Sequence, residues 1–464
     1  MNEISLEENF YKLPELVTKE DIVKKKIITK PNIDTLTEEQ LLIFNEITEL
    51  PLGVFSQSLL TGYSGTGKSF LVSKIIEQML WKNKKLKIAI TAPTNKAVRV
   101  LKELSQISED SENVDFITLH SLLGLKRVIT QDGKEIFSPT YGESGVESYN
   151  IVLVDEVSML DNELYTILKT ETKMNAIVVL FIGDRGQIPP VNGGESVLFS
   201  HKLNNNYNLT KIIRQANDNP IIELAQLIRT NQTFNRELNI NENNQGVVFM
   251  KINTEDKLLK TYFTSKNFNK DANFVKVLAW TNNAVNYYND KIREMIYGED
   301  IGRLCVGEKM VCNKPIVNTT KRVLMNNNDE FEVLSFIKKK ENRAFTFYYY
   351  EVKAKCDKKE PIIIKILAEE SEISYDKELK SLEKTAVEAH PMLKRNAWTK
   401  FYALKERYAD VKYNYALTVH KSQGSTFDNA IVIECDIKRL KNKLEKDKLL
   451  YTAVTRAKDK LFVI

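Results

Sequence analysis

The stretch GYSGTGKS, Gly62 to Ser69, constrains this chain more than any other segment. Its spacing, Gly62-x-x-x-x-Gly67-Lys68-Ser69, supplies what a phosphate-binding loop needs. Glycines let backbone amides turn inward toward oxygens, a lysine reaches the β- and γ-phosphates, and a hydroxyl serves Mg²⁺. Gly62, Gly65, Thr66, Gly67, Lys68 and Ser69 are therefore the candidate nucleotide-binding residues. The flanks agree. Val54 to Leu60 reads as a buried strand, and Phe70-Leu71-Val72 with Ile75-Ile76 recurs at helical spacing, so the order is strand, loop, helix. A flexible Gly/Ser turn has no need of that context.

Composition narrows the class further. A chain of 464 residues holds about two to four domains, each able to bury its own core. Cys305, Cys312, Cys356 and Cys435 lie far apart with no C-x-x-C pair, which argues against a zinc site or a disulfide scaffold. Lys and Arg exceed Asp and Glu by 67 to 62, a formal +5 that suits a polyanion and equally suits many soluble enzymes. Apolar runs such as Ile177 to Ile182 are too short to span a bilayer, and the start MNEISLEENF has no signal-peptide pattern. The expectation is a soluble cytoplasmic protein with no membrane partner.

Residues 1 to about 33 mix Glu and Lys without periodicity and read as an extension. Thr37, followed three residues later by Gln40, is a capping box that opens a helix. Strand-like runs at Lys87 to Thr91, Ile151 to Val154 and Ile177 to Ile182 alternate with helical segments, the pattern of a parallel α/β sheet. Between Leu125 and Asn150 that alternation breaks, and Asp132-Gly133 reads as the turn of a hairpin. A second α/β set has strands at Val275 to Trp280, Ala430 to Glu434 and Lys460 to Ile464. Between them, Arg343 to Lys355 and Pro361 to Leu367 read as antiparallel strands of a small β module, and a charged helical stretch runs from about Tyr375 to Asp410.

Two further spots carry chemistry. Asp155 and Glu156 follow the apolar strand Ile151 to Val154, at a carboxyl end where open α/β sheets bind ligands. One carboxylate can hold Mg²⁺ while the other accepts a proton from the water attacking a γ-phosphate. Gln187 lies on GDRGQIPPV after the next strand, where a glutamine can sense that phosphate or position water.

Taken in order, GYSGTGKS, TAPTNKA (Thr91 to Ala97), TLHSLLG (Thr118 to Gly124), VDEVSML (Val154 to Leu160), GDRGQIPPV, LTKIIRQ (Leu209 to Gln215), YALTVHKSQGSTFD (Tyr415 to Asp428) and LLYTAVTRAKDKLFVI (Leu449 to Ile464) resemble the motifs of superfamily 1 DNA helicases. The match spans roughly residues 36 to 464 and is strongest to the RecD-like and Dda-like branch, whose members move 5′ to 3′ on single-stranded DNA. The resemblance implies an α/β chain with two RecA-like P-loop domains, parallel sheets flanked by helices, using ATP and Mg²⁺. After an extension at 1–35, the first domain would take 36–124 and 151–210 around a β-hairpin wedge at 125–150. The second would take 211–332 and 412–464 around an SH3-like β module with a helical segment at 333–411.

The resemblance also implies roles. Gln40 would read adenine, Ser69 and Asp155 would hold Mg²⁺, and Glu156 would be the general base. Gln187 would sense the γ-phosphate, Arg214 and Arg456 would reach it from the second domain, and the backbone amide of Gly424 would lie close to the nucleotide. Pro93, Thr94, Lys96, Thr118 and His120 match positions that touch the DNA strand in the first domain, and Thr418, His420 and Lys421 match those in the second. Trp280, after a strand, can stack on a base or pack in the core, and Phe137 is the candidate apolar tip of the wedge. Partners would be single-stranded DNA and its junctions with duplex, together with single-strand-binding or replication proteins, the chain itself acting as a monomer. Two alternatives stay open: a translocase that remodels protein–DNA complexes without efficient strand separation, and a helicase-like subunit that works only with partners.

Overall fold

A computed structural model describes residues 30–464 apart from 105–112, 131, 140–143, 190–194, 214–217, 233–235, 237–238, 252–253, 300, 319–322, 342–345 and 357–359. The extension expected at 1–35 lies almost wholly outside the described residues, and Arg214 lies outside them too. The chain forms two compact units. One comprises Met1–Gly124, Thr140–Tyr288 and Tyr415–Ile464, and the other Leu125–Pro139 and Asn289–Asn414. Among the described residues no helix is long and apolar enough to cross a membrane.

The first unit contains two six-stranded sheets. Strands β1 (Ser56–Gly62), β2 (Ile88–Ala92), β3 (Val114–Thr118), β6 (Ile151–Val154), β7 (Val178–Gly183) and β8 (Asn205–Leu209) lie in the order β3-β2-β6-β7-β1-β8. Every pairing among them is parallel. Runs such as IVLV and VVLFIG are buried on both faces, as a parallel sheet covered by helices requires. Helix α1 (Glu38–Thr48) starts at the Thr37 capping box, with both reciprocal bonds formed. From α1 come Ile43, Phe44 and Ile47, and from α2 (Lys68–Lys82) Leu71 and Ile75, packed onto Leu60, Leu153 and Leu180 of the sheet. Each such burial contributes about 1.5–3 kcal/mol. Helix α3 (Asn95–Leu104) follows β2.

The second sheet has β9 (Asn239–Ile240), β10 (Gly246–Phe249), β11 (Val275–Ala279), β19 (Ala416–Thr418), β20 (Phe427–Val432) and β21 (Ala457–Val463) in the order β19-β11-β20-β21-β10-β9. Only the two-residue β9 runs antiparallel to its neighbour. Helices α4 (Pro220–Arg229) and α7 (Lys443–Val454) bring Leu224, Ile228, Leu449 and Ala453 against Leu278, Val432 and Leu461. These sheets are the two RecA-like layers that the motif order implies. Parallel strands have a direct consequence: all the loops that leave their carboxyl ends gather along one edge of each sheet.

The second unit is built on a five-stranded antiparallel sheet, ordered β17-β16-β15-β12-β18. Its long strands are β15 (Glu330–Lys340), β16 (Tyr348–Cys356) and β17 (Ile362–Leu367). The β module thus begins before residue 333: β12 (Lys309–Cys312) pairs with β15 and also with β18 (Val411–Tyr413). Strands of four and three residues that meet only in three dimensions leave no local period to read. A two-stranded ribbon, β13 (Ile316–Val317) with β14 (Val323–Met325), adjoins them in sequence. Helices α5 (Glu369–Glu388) and α6 (Pro391–Lys405) form an antiparallel pair, tied to the sheet by Phe347, Tyr349, Leu404 and Tyr408.

In this same unit the hairpin of β4 (Leu125–Ile129) and β5 (Glu135–Pro139) docks on α6. Tyr402 Oη donates to the Gly133 carbonyl at 2.7 Å. Arg127 pairs with Glu406 at 2.8 Å, Lys405 pairs with Glu135 at 3.6 Å, and the Arg127 guanidinium lies 5.8 Å from the Tyr402 ring centroid. The turn spans Thr130 to Lys134, so Phe137 is not at the tip; it sits down β5 opposite Arg127. Alternation along the strands puts Arg127, Ile129, Glu135 and Phe137 on the docked face and leaves Val128 opposite Ile136 on the other, each 44% exposed.

Gly133 has φ +77, and a Cβ there would lie 2.2 Å from the nearest Trp398 ring atom. Gly133→Ala is therefore expected to loosen the docking by about 1–3 kcal/mol, read as faster amide hydrogen exchange across β4 and β5. Exchange at the parent rate would mean that the close approach to Trp398 does not hold the hairpin.

Candidate nucleotide site and strand-end clusters

The P-loop leaves β1 at the edge where the first sheet's carboxyl ends collect. Gly65 and Gly67 have φ of +83 and +77, and Gly67 is the N-cap of α2. The loop's shape is held by its own side chains: Thr66 Oγ1 donates to the Tyr63 carbonyl at 2.8 Å, and Lys68 Nζ donates to the carbonyls of Tyr63 at 3.0 Å and Gly62. Gln40 is buried beneath it. Its Nε2 donates to Thr66 O at 3.1 Å, while its Oε1 accepts from Thr37 N at 3.1 Å, so the capping glutamine of α1 also braces the P-loop. In front lies a cavity of about 450 Å³, lined by Gly65, Lys68 and Ser69 from the loop and by Ile213, Asn219 and Gln245. That size suits a nucleotide.

Beside the loop stand the two carboxylates. Burial, then the neighbouring Glu156 charge, pushes Asp155 up to about 7, partly offset by the Glu156 amide and by Lys68. Glu156 is raised as well, first by burial and also by Asp184, against the charges of Arg456 and Lys68 and a hydrogen bond from Gln187. The Glu156 amide donates to Asp155 Oδ1 at 2.8 Å, and Glu156 adopts φ 53. Gln187 is buried, and among the described residues its Oε1 has no hydrogen-bond partner. An orphaned acceptor next to a carboxylate is suited to orienting a water. Ser69 and Asp155 are neighbours at the rim of one small cavity whose other walls are mostly aliphatic, among them Val72, Ile90 and Leu153. A hydroxyl and a carboxylate pushed up by its neighbour form a hard-oxygen set that fits Mg²⁺, an ion that takes its remaining ligands from phosphate and water.

The second sheet reaches the same site. Arg456 follows α7 and is buried, with Nε donating to Thr452 O at 3.0 Å and Nη1 to Ser425 O at 3.1 Å. The loop after β7 is clasped from that side as well. Ile188 N donates to Thr452 Oγ1 at 3.2 Å, and Gln423 Nε2 donates to Ile188 O at 2.9 Å. Lys68, Asp155, Glu156, Gln187 and Arg456 are thus brought together. A Cβ on Gly424, φ +67, would meet Ala97 Cβ at 2.8 Å, and its closest neighbours are all atoms of Ala97. The close approach of the start of α3 leaves no room for a side chain there.

Three participants went unread in the sequence: Tyr451, Asp184 and Arg229. Tyr451 lies within LLYTAVTRA, where only the arginine drew notice, and Asp184 lies within GDRGQ, where only the glutamine did. The Arg229 guanidinium sits 3.8 Å from the centroid of the Tyr63 ring, a pairing that nothing in local sequence announces.

The candidate DNA contacts fall at strand ends. Pro93 and Thr94 follow β2 and Thr118 ends β3, with Ala92 and Thr118 in register. Thr94 Oγ1 accepts from Ala97 N at 3.2 Å and Thr118 Oγ1 from Ser121 N at 3.2 Å, so both hydroxyls also cap turns. Lys96 Nζ lies 5.2 Å from the Phe427 ring centroid. In the second sheet Thr418 ends β19 beside Ala279, and its Oγ1 accepts from Lys421 N at 3.3 Å. Trp280 is half-buried against the second core, its amide donating to Asp436 Oδ2 at 3.0 Å.

His120 and His420 are each held below the ordinary imidazole value of 6.5, chiefly by burial, with Asp161 and Glu445 respectively pulling the other way. Both are neutral at pH 7, so they stack or donate rather than add charge. A depressed imidazole contributes stability above its unfolded value that is lost as pH falls through the folded one. On acidification below 6.5 the melting midpoint should therefore fall, and fall less in a His120→Gln, His420→Gln double variant. Parallel curves for the two proteins would contradict this.

Residues 35–249 match the family described as AAA domain, and residues 413–464 match the UvrD-like helicase C-terminal domain. An uncharacterized protein of Acanthamoeba polyphaga mimivirus is 26% identical over 87% of this chain and 94% of its own. The ATP-dependent DNA helicase dda of Enterobacteria phage T4 is 27% identical over 93% of this chain and 99% of its own. The ATP-dependent RecD2 DNA helicase of Deinococcus radiodurans is 33% identical over 41% of this chain and 23% of its own.

Proposed function

We propose that this chain, which belongs to the superfamily 1 helicases in the branch of RecD and phage Dda, is an ATP-dependent DNA helicase that moves 5′ to 3′ on single-stranded DNA and unwinds duplex in replication, recombination or repair. The observation that carries the reading is the convergence of two sheets on one carboxylate: Lys68 and Gln187 from the first and Arg456 from the second all act on Glu156. An arginine supplied from a separate layer neutralises developing charge only in one arrangement of the layers, so hydrolysis becomes coupled to their position. The near full-length relationship to a phage protein named as an ATP-dependent DNA helicase supports the same conclusion.

In this reading Lys68 binds the β- and γ-phosphates, Glu156 takes the proton of the attacking water, and Gln187 Oε1 orients that water. Arg456, with Arg214, stabilises the charge on the transferring phosphoryl group, and Gln40 reads the adenine edge from beneath the loop. Mg²⁺, held by Ser69 and Asp155, would neutralise phosphate charge when bound. ATP binding closes the cleft and hydrolysis reopens it. The strand-end clusters, with Pro93, Thr94, Lys96, Thr118 and His120 on one sheet and Trp280, Thr418, His420 and Lys421 on the other, alternate their hold on the strand as a monomer steps along it. Contacts of this kind are sequence-independent.

Strand separation needs an apolar edge on a firm support. The hairpin docked on α6 supports unwinding over simple translocation, with the exposed apolar side chains Val128 and Ile136 joining Phe137 as the wedge surface. Junctions of single-stranded and duplex DNA are then the substrate, met in the cytoplasm alongside single-strand-binding proteins.

Three experiments test this. Partial duplexes with a 5′ or a 3′ single-stranded tail should be opened only from the 5′ tail, with ATP and Mg²⁺ present; opening from the 3′ tail alone would reverse the polarity. Glu156→Gln should lower DNA-stimulated hydrolysis on the order of 10²–10⁴-fold while ATP still binds, and turnover near the parent rate would remove Glu156 as base. In the hairpin, Val128→Ser with Ile136→Ser should cut duplex opening while leaving DNA-stimulated hydrolysis near the parent rate.

A further inference from the structure

Tyr451 occupies a position that the hydrolysis scheme does not use. Its ring is buried in the second core, and its hydroxyl is spent in two directions, both toward the first sheet. Oη donates to Asp184 Oδ2 at 2.7 Å and accepts from Ser64 N, a P-loop amide, at 3.0 Å. Burial of the ring, then the Asp184 charge, holds its phenol protonated far into the alkaline range, so the donor is permanent. A bond from a neutral hydroxyl to a buried carboxylate belongs to the stronger class of hydrogen bonds.

The neighbours extend the pattern. Asp184 Oδ1 accepts from Gly186 N at 2.8 Å, which shapes the loop that carries Gln187. Thr452, next in sequence to Tyr451, receives Ile188 N on its hydroxyl and Arg456 Nε on its carbonyl. Gln187 is therefore bracketed, Asp184 being held by Tyr451 and Ile188 by Thr452. The same short segment of α7 that holds this loop also holds Arg456. Tyr63 of the P-loop packs edge-on against Tyr451, ring centroids 6.5 Å apart, and lies under Arg229 of α4.

We propose that Tyr451 is a positioning residue for hydrolysis: through its hydroxyl it fixes α7 against the P-loop and the Gln187 loop, and so sets where Arg456 lies relative to Glu156. The proposal rests on the ATPase reading above and names one device that couples the second sheet to it. A tyrosine that only filled the core would be replaceable by phenylalanine without kinetic effect, because the ring packing would survive. A tyrosine that sets geometry would not, because Asp184 would lose its charge-assisted partner and the P-loop its tether to α7. Lys68 and Ser69 keep their places in either case, so nucleotide binding is not where the loss should appear.

The test is steady-state ATP hydrolysis with saturating single-stranded DNA for Tyr451→Phe, Asp184→Asn and the double variant, alongside Glu156→Gln. Tyr451→Phe is expected to lower kcat about tenfold with the KM for ATP within about twofold of the parent. The double variant should be no worse than the poorer single one, since both changes break one bond. Parent-like kcat in Tyr451→Phe, a matching rise in KM without loss of kcat, or single effects that multiply in the double variant would overturn the proposal. Both Asp184 oxygens accept, one from Gly186 N and one from Tyr451 Oη, and an asparagine has only one oxygen to serve them; if Tyr451→Phe does not fold, parent-like kcat in Asp184→Asn overturns it instead. Glu156→Gln separates the two levels: if that variant turns over ATP normally the base assignment falls, whereas an inactive Glu156→Gln beside a normal Tyr451→Phe removes Tyr451 alone.

Discussion

Two carboxylates side by side in a buried cleft cannot both ionise at low cost, and the rest of the first unit answers to that fact. Burial raises both Asp155 and Glu156, Glu156 raises Asp155 further and Asp184 raises Glu156, and the countercharges come from different places: Lys68, from the loop after β1, acts on both, and Arg456, from the far end of α7, on Glu156. One cation arrives with the same sheet as the carboxylates and is always present. The other belongs to the second sheet. A site whose electrostatic balance requires both layers responds to any change in how the layers meet, which is the property a chemically driven motor needs.

The contact between the layers is polar where it governs chemistry and apolar where it supplies stability. Ile188, Tyr63 and Tyr451 interleave in the second core, although the first two are carried by loops of the first sheet. Around them run directed bonds: Ile188 N to Thr452, Gln423 to Ile188 O, Ser64 N to Tyr451. Apolar burial is nearly indifferent to a small sliding movement, because area is lost only gradually. Hydrogen bonds of 2.7–3.2 Å are not, because a shift of 1 Å breaks them. The surface can therefore stay closed while its polar register changes.

Much of this was legible in the sequence, for a physical reason: a P-loop, a capping box and a carboxylate at a strand end are each specified by residues within a few positions of one another. Thr37 with Gln40, Gly62 to Ser69, and Asp155-Glu156 after IVLV are of this kind, and so is the Asp132-Gly133 turn. What escaped depends on pairing across long separations. The β12 and β18 strands are too short to show a period, and the contact of Trp398 on Gly133 joins residues far apart in the chain. Aromatic character points to Phe137 as the hairpin tip but carries no register; pairing with Arg127 puts it down β5 from the turn, still 51% exposed. Gly424 carries a second constraint that motif order does not announce: its Cβ position is filled by Ala97, which is distant in sequence. Tyr451 was overlooked since a tyrosine among apolar helix residues reads as core, and its ring does lie in the core. Only its hydroxyl leaves it.

The backbone of Glu156 shows where the fold tolerates strain. Among the described residues the non-glycine positions with positive φ are Glu156, Ala176, Asn231, Asn244 and Asn328. The asparagines adopt this region readily, and Ala176 closes a turn after a helix. Glu156 has neither excuse and gives up about 1 kcal/mol or more. The strand ends there in a single turn over Val157–Met159, and Asp155 and Glu156 take different surroundings, one sharing a cavity with Ser69 and the other meeting Gln187 and Arg456. In an extended continuation, successive side chains would point to opposite faces of the sheet, and one carboxylate would be lost to the nucleotide edge. A left-handed residue at this position gives two adjacent acids different surroundings. A glycine would relieve the strain and remove the carboxylate on which Lys68, Gln187 and Arg456 act, so the strain persists at the residue that the proposed hydrolysis uses.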